Sequence, residues 1–431
     1  MNPPIDGAGQ LILRAGRDEG FRQRLIDDPR QAIEEALGVK ISADQQVFVH
    51  QASETEAHLV LPPVSKRTPV EREAAKTGVA SLEFLRKTLH DPAPPMRTPA
   101  PARAVDSGAS ADDLVSAARN SIGRGLEFLQ SSITDDGAWH CIRFNIADPE
   151  VPRHFERPAF VTAFCVLALQ GCGDARARTL CEASRAYLMD TMEYPGMWRY
   201  YRHLPQDLDS TTLCSLILGS HPWIALGRNV AKILSNRDAQ GRFLTWVLGE
   251  DEPDVVSKFR IEADPVVNAN VIAYLGDHPQ TRPAQRWLEE LVREDRVHDT
   301  SKWYPDTIAI YYAITRTMVR ARPALESLGP ILADRILGLR DPEGGFGNLL
   351  QSAQAVSALD NVQCLGRIDM KVELARLLGA QHEDGSWPEL LAFGDQTLKW
   401  GVVGQFGHGS EPVTTAFCIE ALGRLARALS S

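Results

Sequence analysis

Residues 196–212, with the sequence GMWRYYRHLPQDLDSTT, combine a glycine-aromatic turn with the start of a helix rich in small residues. The turn is Gly196-Met197-Trp198, and the spacing predicts that the helix starts near Leu208. Glycine permits the left-handed backbone of such a turn, and the aromatic ring can pack on a neighbouring unit. Because both features recur along the chain, this segment is one unit of an internal repeat.

The helical part of the repeat occurs at five aligned positions, which are 161–165, 210–214, 267–271, 352–356 and 413–417. A wider gap between the third and fourth of these leaves room for a sixth helix, supplied by 308–316. Further glycine-aromatic turns occur at 137–139, 241–243, 344–346 and 385–387. Each helical hairpin has to cover its apolar face with the next one, and a ring leaves no uncovered end. Residues 111–431 are therefore predicted to form a mainly α fold, a single α/α toroid of about six helical hairpins.

The chain before the toroid divides into two regions. Residues 1–63 are predicted to form a small α+β unit, with two short helices around Phe21–Leu25 and after Asp28-Pro29, and two strands at 46–50 and 58–61. Residues 64–110 contain a possible helix near 70–89 and then a stretch rich in Pro, Ala and Ser, a composition typical of a disordered linker.

The overall composition excludes some classes of function. The 431 residues carry a formal charge of −10 with acidic and basic residues interspersed, so no basic stripe is available for nucleic acid. No apolar run is long enough to predict a transmembrane segment, and the N-terminus lacks the pattern of a secretory signal. We expect a cytoplasmic protein.

The repeated turns resemble the Gln-Trp type repeats of squalene-hopene cyclases, oxidosqualene cyclases and protein prenyltransferase β subunits. In addition, residues 207–211 resemble the Asp-x-Asp-Asp-Thr box of class II terpene cyclases. This resemblance implies acid-initiated cyclisation of a linear isoprenoid. By position, Asp209 would be the proton donor, Asp207 its partner, and Ser210 and Thr211 hydroxyl supports. Protonation of an alkene needs a strong acid in a dry cavity, and a buried carboxyl group stays protonated there.

The chain departs from this family in two ways. Ser210 stands where the family has its last Asp, so a neutral hydroxyl would tune the acid. Class II cyclases usually build the cavity between two helical domains, so a single toroid would have to close its own cavity, recruit a partner chain or self-associate. A structural alternative stays open for Asp207 and Asp209, which could be the N-cap and first-turn residues of a helix.

Four further residues are candidates for substrate binding. Trp198 and Tyr200 are the aromatic residues upstream of the acidic pair, and Asn268 and Asn270 are polar intrusions at the head of an apolar inner helix. Asparagine is also frequent as a helix cap, so Asn268 could have that role instead.

The N-terminal unit resembles the leader segments related to nitrile hydratase α subunits, through Phe21 to Leu25, Asp28-Pro29, Gly38 and 58–63. In that family the segment is a recognition tag on precursors of modified bacterial peptides. A second function therefore stays open, namely a non-catalytic or peptide-handling toroid docked through this unit. An enzyme requires Asp209 in an apolar, aromatic pocket, whereas a peptide-handling toroid would expose it at the rim.

A zinc site is a further possibility, because prenyltransferase β subunits and lanthipeptide cyclases use this toroid around a metal. The nearest ligand candidates are Asp360, Cys364 and His408, whose spacing does not match those families, and His408 is predicted to be a loop residue between two glycines. We predict no metal and no cofactor.

Overall fold

A computed structural model gives the fold of the chain. It describes residues 11, 14–15, 18–38, 40–41, 47, 49, 110–146, 153–201, 204–248, 262–321, 323–342, 344–394 and 406–430. The predicted strands at 46–50 and 58–61, except for positions 47 and 49, the helix near 70–89 and the linker up to residue 109 lie outside the described residues.

Two short helices form the described part of the N-terminal unit, α1 (Glu19–Asp27) and α2 (Pro29–Leu37). Asp28 caps α2 by accepting a hydrogen bond from the backbone of Gln31, and Gly38 ends this helix with a left-handed backbone. Phe21 and Ile33 belong to a small apolar core of their own, against which Leu226 of the larger unit packs. Both predicted helices are thus present, and this unit contacts the rest of the protein.

The described residues from 110 onward contain thirteen α-helices and six short strands. In chain order these are α3 (Ala111–Ser132), β1 (Cys141–Asn145), β2 (His154–Glu156), α4 (Ala159–Leu169), α5 (Ala175–Asp190), β3 (Gln206–Asp207), α6 (Leu208–Ile217), α7 (Pro222–Ala225), α8 (Val230–Ser235), β4 (Trp246–Val247), α9 (Pro265–Leu275), α10 (Arg282–Arg293), α11 (Thr307–Arg320), α12 (Gly329–Gly338), α13 (Leu349–Asn361), α14 (Met370–Gly379), β5 (Leu391–Gly394), β6 (Phe406–Gly409) and α15 (Glu411–Ser430).

Six of these helices, α4, α6, α9, α11, α13 and α15, form a closed inner ring. Each packs on the next along the chain, and α15 packs back on α4. Their residues are buried almost all round, as every residue of α4 illustrates. The other helices form an outer layer, in which α7 and α8 together take one place. The prediction of an α/α toroid of six helical hairpins is confirmed.

The strands all lie in connections that lead from an outer helix into an inner one, at the end of the ring where the inner helices begin. Four of them form an antiparallel sheet in the order β2-β1-β6-β5, which joins the connections of the first and last hairpins. The other two, β3 and β4, pair with each other and belong to the connections that lead into α6 and α9. These connections place polar and aromatic side chains around the start of the inner helices.

The glycine-aromatic turns have one recurring set of contacts, seen most fully at Trp139, Trp198 and Trp387. Each indole Nε1 donates to the carbonyl oxygen ten residues earlier, at 2.8–3.0 Å. Each backbone N–H donates to a threonine hydroxyl on the following inner helix, and these threonines are Thr162, Thr211 and Thr415. All three indoles are fully buried. The repeat therefore ties an outer helix, a turn and an inner helix together.

The glycine of such a turn is required for two reasons. Gly385 has a positive φ of 89°, a backbone conformation that residues with a Cβ atom rarely adopt. A Cβ atom there would also collide with the carbonyl oxygen of Arg124 on α3. Both constraints hold the last turn close to the first outer helix, where the ring closes. Among the described residues, no helix is long and apolar enough to cross a membrane.

Candidate active site

Asp209 lies in the first turn of α6 with its carboxyl group buried at the start of the inner ring, and the residue is 7% exposed. The hydroxyl of Tyr304 donates to Oδ2 at 2.6 Å, and Nδ2 of Asn270 donates to Oδ1 at 2.6 Å. Each carboxyl oxygen has two lone pairs, so each keeps one that these donors leave free. A proton on such a lone pair is available for transfer.

Arg316 is the next member of this buried network. Its guanidinium group donates to the amide oxygen of Asn270, whose nitrogen in turn bonds to Asp209. Arg316 is 8% exposed and comes from the middle of α11, whereas Asn270 comes from α9. Three neighbouring inner helices thus supply the carboxyl group, the amide and the guanidinium group.

The environment of Asp209 acts on its acidity in two opposite directions. Burial raises the pKa of Asp209 above its ordinary value, whereas the hydrogen bonds from Tyr304 and Asn270 and the charge of Arg316 act to lower it. Burial has the larger effect. The protonated form is therefore more favoured than in an exposed aspartate, and a carboxylate left after proton transfer would be stabilised by donors already in place.

Asp207 has a different set of contacts. It is the N-cap of α6: Oδ1 accepts from the backbone N–H of Ser210 at 2.6 Å, and Oδ2 accepts from that of Tyr200 at 3.0 Å. Burial raises the pKa of Asp207 to about 7, and the nearby charge of Asp209 adds to this rise. Within the described part of the chain no hydrogen bond joins Asp207 to Asp209, and Asp207 has the contacts of a helix cap; its role as partner of the acid stays a prediction.

A third buried carboxyl group, Asp264, lies close by as the N-cap of α9. Its Oδ2 accepts from the hydroxyl of Ser301 at 2.7 Å and from the backbone N–H of Lys302 at 3.0 Å. Burial raises the pKa of Asp264 to about 7, and the charge of Asp209 contributes. This residue ties the connection that carries Tyr304 to the start of α9, and thereby holds the Tyr304 hydroxyl against Asp209.

Aromatic side chains extend from Tyr304 across the start of the inner ring. Tyr304 stacks on Phe164 with ring centroids 6.5 Å apart, and Phe164 contacts Phe160 at 4.8 Å. Phe160 meets Phe393 of β5 edge-on at 4.9 Å, and Tyr200 lies 6.1 Å from both of these rings. Ring faces carry negative potential and stabilise cations. The carboxyl group of Asp209 thus borders an aromatic cluster.

A second polar group, the Glu156–His408 pair, contacts this cluster. Nε2 of His408 lies 3.2 Å from Oε2 of Glu156, and its ring stacks on Phe393 with centroids 4.9 Å apart. Arg143 lies 3.0 Å from the other oxygen of Glu156. Burial acts to raise the pKa of Glu156, but His408, Tyr201 and Arg143 outweigh it, and that pKa lies below its ordinary value.

The orientation of His408 leaves one of its nitrogens available. In the neutral tautomer that donates Nε2–H to the carboxylate, Nδ1 carries a lone pair. Nδ1 is buried and has no hydrogen-bond partner in the described ranges. Since His408 belongs to strand β6, its prediction as a loop residue was wrong. The pair can accept a proton at Nδ1, with Glu156 stabilising the resulting imidazolium.

The other predicted site residues have scaffold contacts. The hydroxyl of Thr211 bonds to the backbone of Trp198, whose indole bonds to Leu188. Asn268 is not a cap, since both ends of its amide bond to the backbone of Phe243, in the position that threonine takes in other repeats. The hydroxyl of Ser210 is buried near the Asp207 carboxyl group and acts to lower the pKa of that carboxyl, but it makes no hydrogen bond of ordinary geometry with the described residues.

The structure therefore brings Asp209 and Asn270 into direct contact and places Tyr200 in the aromatic cluster. Tyr304, Arg316 and Glu156 also belong to the site but are not predicted by the sequence patterns. Arg316 did carry a signal, because it is a charged residue within the apolar run of an inner helix. Of the candidate zinc ligands named from the sequence, Asp360 pairs with Arg424, and His408 pairs with Glu156. The described residues contain no group of three His, Cys, Asp or Glu that could hold a metal ion.

This ring of helical hairpins is the fold of type II terpene cyclases of known structure. The terpene cyclase MstE from Scytonema, solved with the product merosterolic acid A, matches with a TM-score of 0.55 and 18% identity over 73% of this chain and 99% of that chain. One MstE variant was solved with the substrate geranylgeranyl dihydroxybenzoate, with a TM-score of 0.54. A protein from Actinoplanes matches with a TM-score of 0.56 and 18% identity, over 72% of this chain and 99% of that chain.

Sequence similarity points in the same direction over a shorter span. The drimenol cyclase drtB of Aspergillus calidoustus is 25% identical over 224 residues, which is 51% of this chain and 38% of the cyclase. This chain thus matches less than half the length of that relative. No model of a known protein family matches it.

Proposed function

We propose that this protein is a terpene-cyclase-like enzyme that starts the cyclisation of a linear isoprenoid by protonation, with Asp209 as the proton donor. One observation carries the proposal: a buried carboxyl group is held by two hydrogen-bond donors beside an aromatic cluster. The resemblance of 207–211 to the family's acidic box and the fold shared with MstE support it. A peptide-handling toroid, the alternative, would expose Asp209 at the rim, whereas Asp209 is 7% exposed.

The chemistry follows from this arrangement. The π electrons of an alkene take the proton of Asp209, so the O–H bond breaks, a C–H bond forms and a carbocation remains. An internal alkene of the same chain then attacks the cation and closes a ring. The rings of Phe160, Phe164 and Tyr304 would stabilise the positive charge and exclude water. Since these rings contact one another in this structure, we expect the substrate to separate them on binding.

We expect the substrate to be an isoprenoid of the kind that the similar proteins use, and the direct test is incubation followed by product analysis. Geranylgeranyl dihydroxybenzoate, which MstE binds, and farnesyl and geranylgeranyl diphosphates are the first compounds to try. Cyclic products are the expected result. A partner chain or self-association that completes the cavity stays part of the proposal, and the oligomeric state of the active fraction reports on it.

Replacement of Tyr304 by Phe is expected to slow cyclisation by roughly ten- to one-hundred-fold while leaving the fold intact. The change removes the hydroxyl that donates to Oδ2 of Asp209, so the carboxylate formed by proton transfer loses a donor. Rates with saturating substrate measure the effect. Tyr274→Phe is a matched control, because it also removes a buried hydroxyl, one bonded to Asn229. Equal rates for the two variants would contradict the role of Tyr304.

We assign the final acceptance of a proton to Nδ1 of His408. A cation that loses a proton from an adjacent carbon leaves an alkene, and the proton forms an imidazolium beside Glu156. His408→Gln keeps a donor toward Glu156 but lacks a basic nitrogen. The expected result is a changed product mixture, with more water-capture products, at a similar rate of substrate consumption. Product ratios measured by mass spectrometry check this, and an unchanged mixture would contradict the assignment.

A further inference from the structure

The opposite end of the ring, where the inner helices end, contains a cavity of about 370 Å³. Its wall includes Leu167 of α4, Tyr312 and Arg316 of α11, and Arg424 of α15. Arg320 and Arg427 also line it. The connections that surround Asp209 lie at the other end, so this cavity is separate from the aromatic cluster.

Arg316 lies between the two ends, and none of the described carboxylates is hydrogen-bonded to it directly. Its guanidinium group donates to the neutral amide of Asn270, and its Nε atom is buried without a hydrogen-bond partner in the described ranges. Buried charges in proteins are normally paired and fully hydrogen-bonded. Arg316 is 8% exposed as a residue, lines this cavity and keeps an unused donor, which together point to an anionic ligand.

The other charges in this cavity leave an excess of positive charge. Glu420 is the one acidic side chain among the described lining residues, and Arg424 already pairs with it at 2.7 Å. Arg320, at the exposed rim, bonds to the neutral amide of Gln170. Burial against the protein lowers the pKa of Arg320, and the charge of Arg316 lowers it further. The two guanidinium groups thus repel each other, and the charge of Glu420 acts on Arg320 in the opposite direction.

Helix polarity explains only part of this arrangement. Cations near the C-terminal ends of helices interact favourably with the helix dipole, which suits Arg320 at the last residue of α11. Arg316 lies a full turn earlier, and its guanidinium group turns inward to Asn270. The helix dipole does not explain why the guanidinium group of Arg316 points inward, whereas a bound anion would explain it.

We propose that this cavity binds a phosphate or diphosphate group, with Arg316 and Arg320 as its main ligands and Arg427 at the rim. Guanidinium groups bind phosphate oxygens with paired hydrogen bonds, and several of them around one cavity suit a multiply charged anion. Asn270 joins Arg316 to Asp209, so a bound anion would also alter the charge felt by the carboxyl group. The site does not depend on the proposed role of Asp209.

The test is calorimetric titration of the full-length protein with inorganic pyrophosphate at low salt. We expect saturable binding of one pyrophosphate per chain. Arg316→Gln and Arg427→Gln should each weaken it, by about ten-fold or more for Arg316, which loses charge-assisted hydrogen bonds. Arg427 is exposed, so its variant keeps the proposal testable if Arg316→Gln folds poorly. Arg335→Gln, which removes an arginine paired with Asp295 on the outer layer, is the matched control and should bind normally.

A competition experiment distinguishes the possible sources of the group. If farnesyl diphosphate displaces pyrophosphate and binds more tightly, the ligand is an isoprenyl diphosphate; if it does not, the ligand is a phosphate compound without an isoprenyl tail. Absence of saturable binding would overturn the proposal, as would equal affinities for wild type, Arg316→Gln and Arg427→Gln. The titration involves no turnover, so a failure of the proposed cyclase activity would not affect its outcome.

Discussion

Replacement of Asp209 by Asn is expected to reduce the formation of cyclic product by about a thousand-fold or more, in line with the contribution of a general acid to catalysis. An amide cannot transfer a proton to carbon. It does fit the site, because its oxygen can accept from Asn270 while its nitrogen donates to the oxygen of Tyr304. Folding should therefore be preserved, and the loss should lie in the chemical step.

The assay follows product formation with a substrate that the wild-type protein cyclises, together with thermal unfolding of each variant. Asp207→Asn is the matched control, since it makes the same chemical change two residues away. Both oxygens of Asp207 accept backbone N–H groups, so an amide loses one of these bonds and stability should fall by about 1–3 kcal/mol. Cyclic product from Asp209→Asn at the wild-type rate would remove Asp209 from the mechanism.

Replacement of Trp387 by Ala is expected to give the largest loss of stability, about 3–5 kcal/mol of unfolding free energy. The indole is fully buried, and its Nε1 donates to the carbonyl oxygen of Leu377 at 2.8 Å. Gly125 of the first outer helix packs closely against the same ring. Trp387 therefore lies where the last hairpin meets the first, so its loss opens a cavity where the ring closes.

Denaturant unfolding of the full-length protein measures this effect. Trp223→Ala is the control: the same substitution at a half-buried tryptophan outside the repeated turns, where the ring contacts Tyr194. We expect less than half the loss there, because less apolar surface leaves water when the protein folds. Similar losses for the two variants would show that the repeated tryptophans do not hold the ring together.

The contacts of the repeat explain why some predicted site residues belong to the scaffold. An inner helix uses a polar residue near its start to bind the backbone of the preceding aromatic turn, which is Thr in three hairpins and Asn268 in another. A polar residue within an apolar inner helix can therefore have one of two roles in this fold. Asn268 bonds to the turn, whereas Asn270, two residues later, turns inward to Asp209.

The sequence alone determined the ring of six hairpins, because its signals are local and repeated. A glycine and an aromatic residue make the turn in five of the six hairpins, and small residues recur in the inner helices, so the order of the hairpins follows from the chain. The position of Asp209 at the start of an inner helix could also be predicted, since the acidic box and the first turn of α6 coincide. These features require only neighbouring residues.

Only the tertiary structure decided what surrounds Asp209. Tyr304 and Asn270 lie 95 and 61 residues away from it along the chain, and they meet it because α6, α9 and the start of α11 are neighbours in the ring. No local pattern shows which face of an inner helix points to the centre when all its faces are apolar. Burial in that centre raises the pKa of this single carboxyl group, and the donors Tyr304 and Asn270, from the connection before α11 and from α9, act against it.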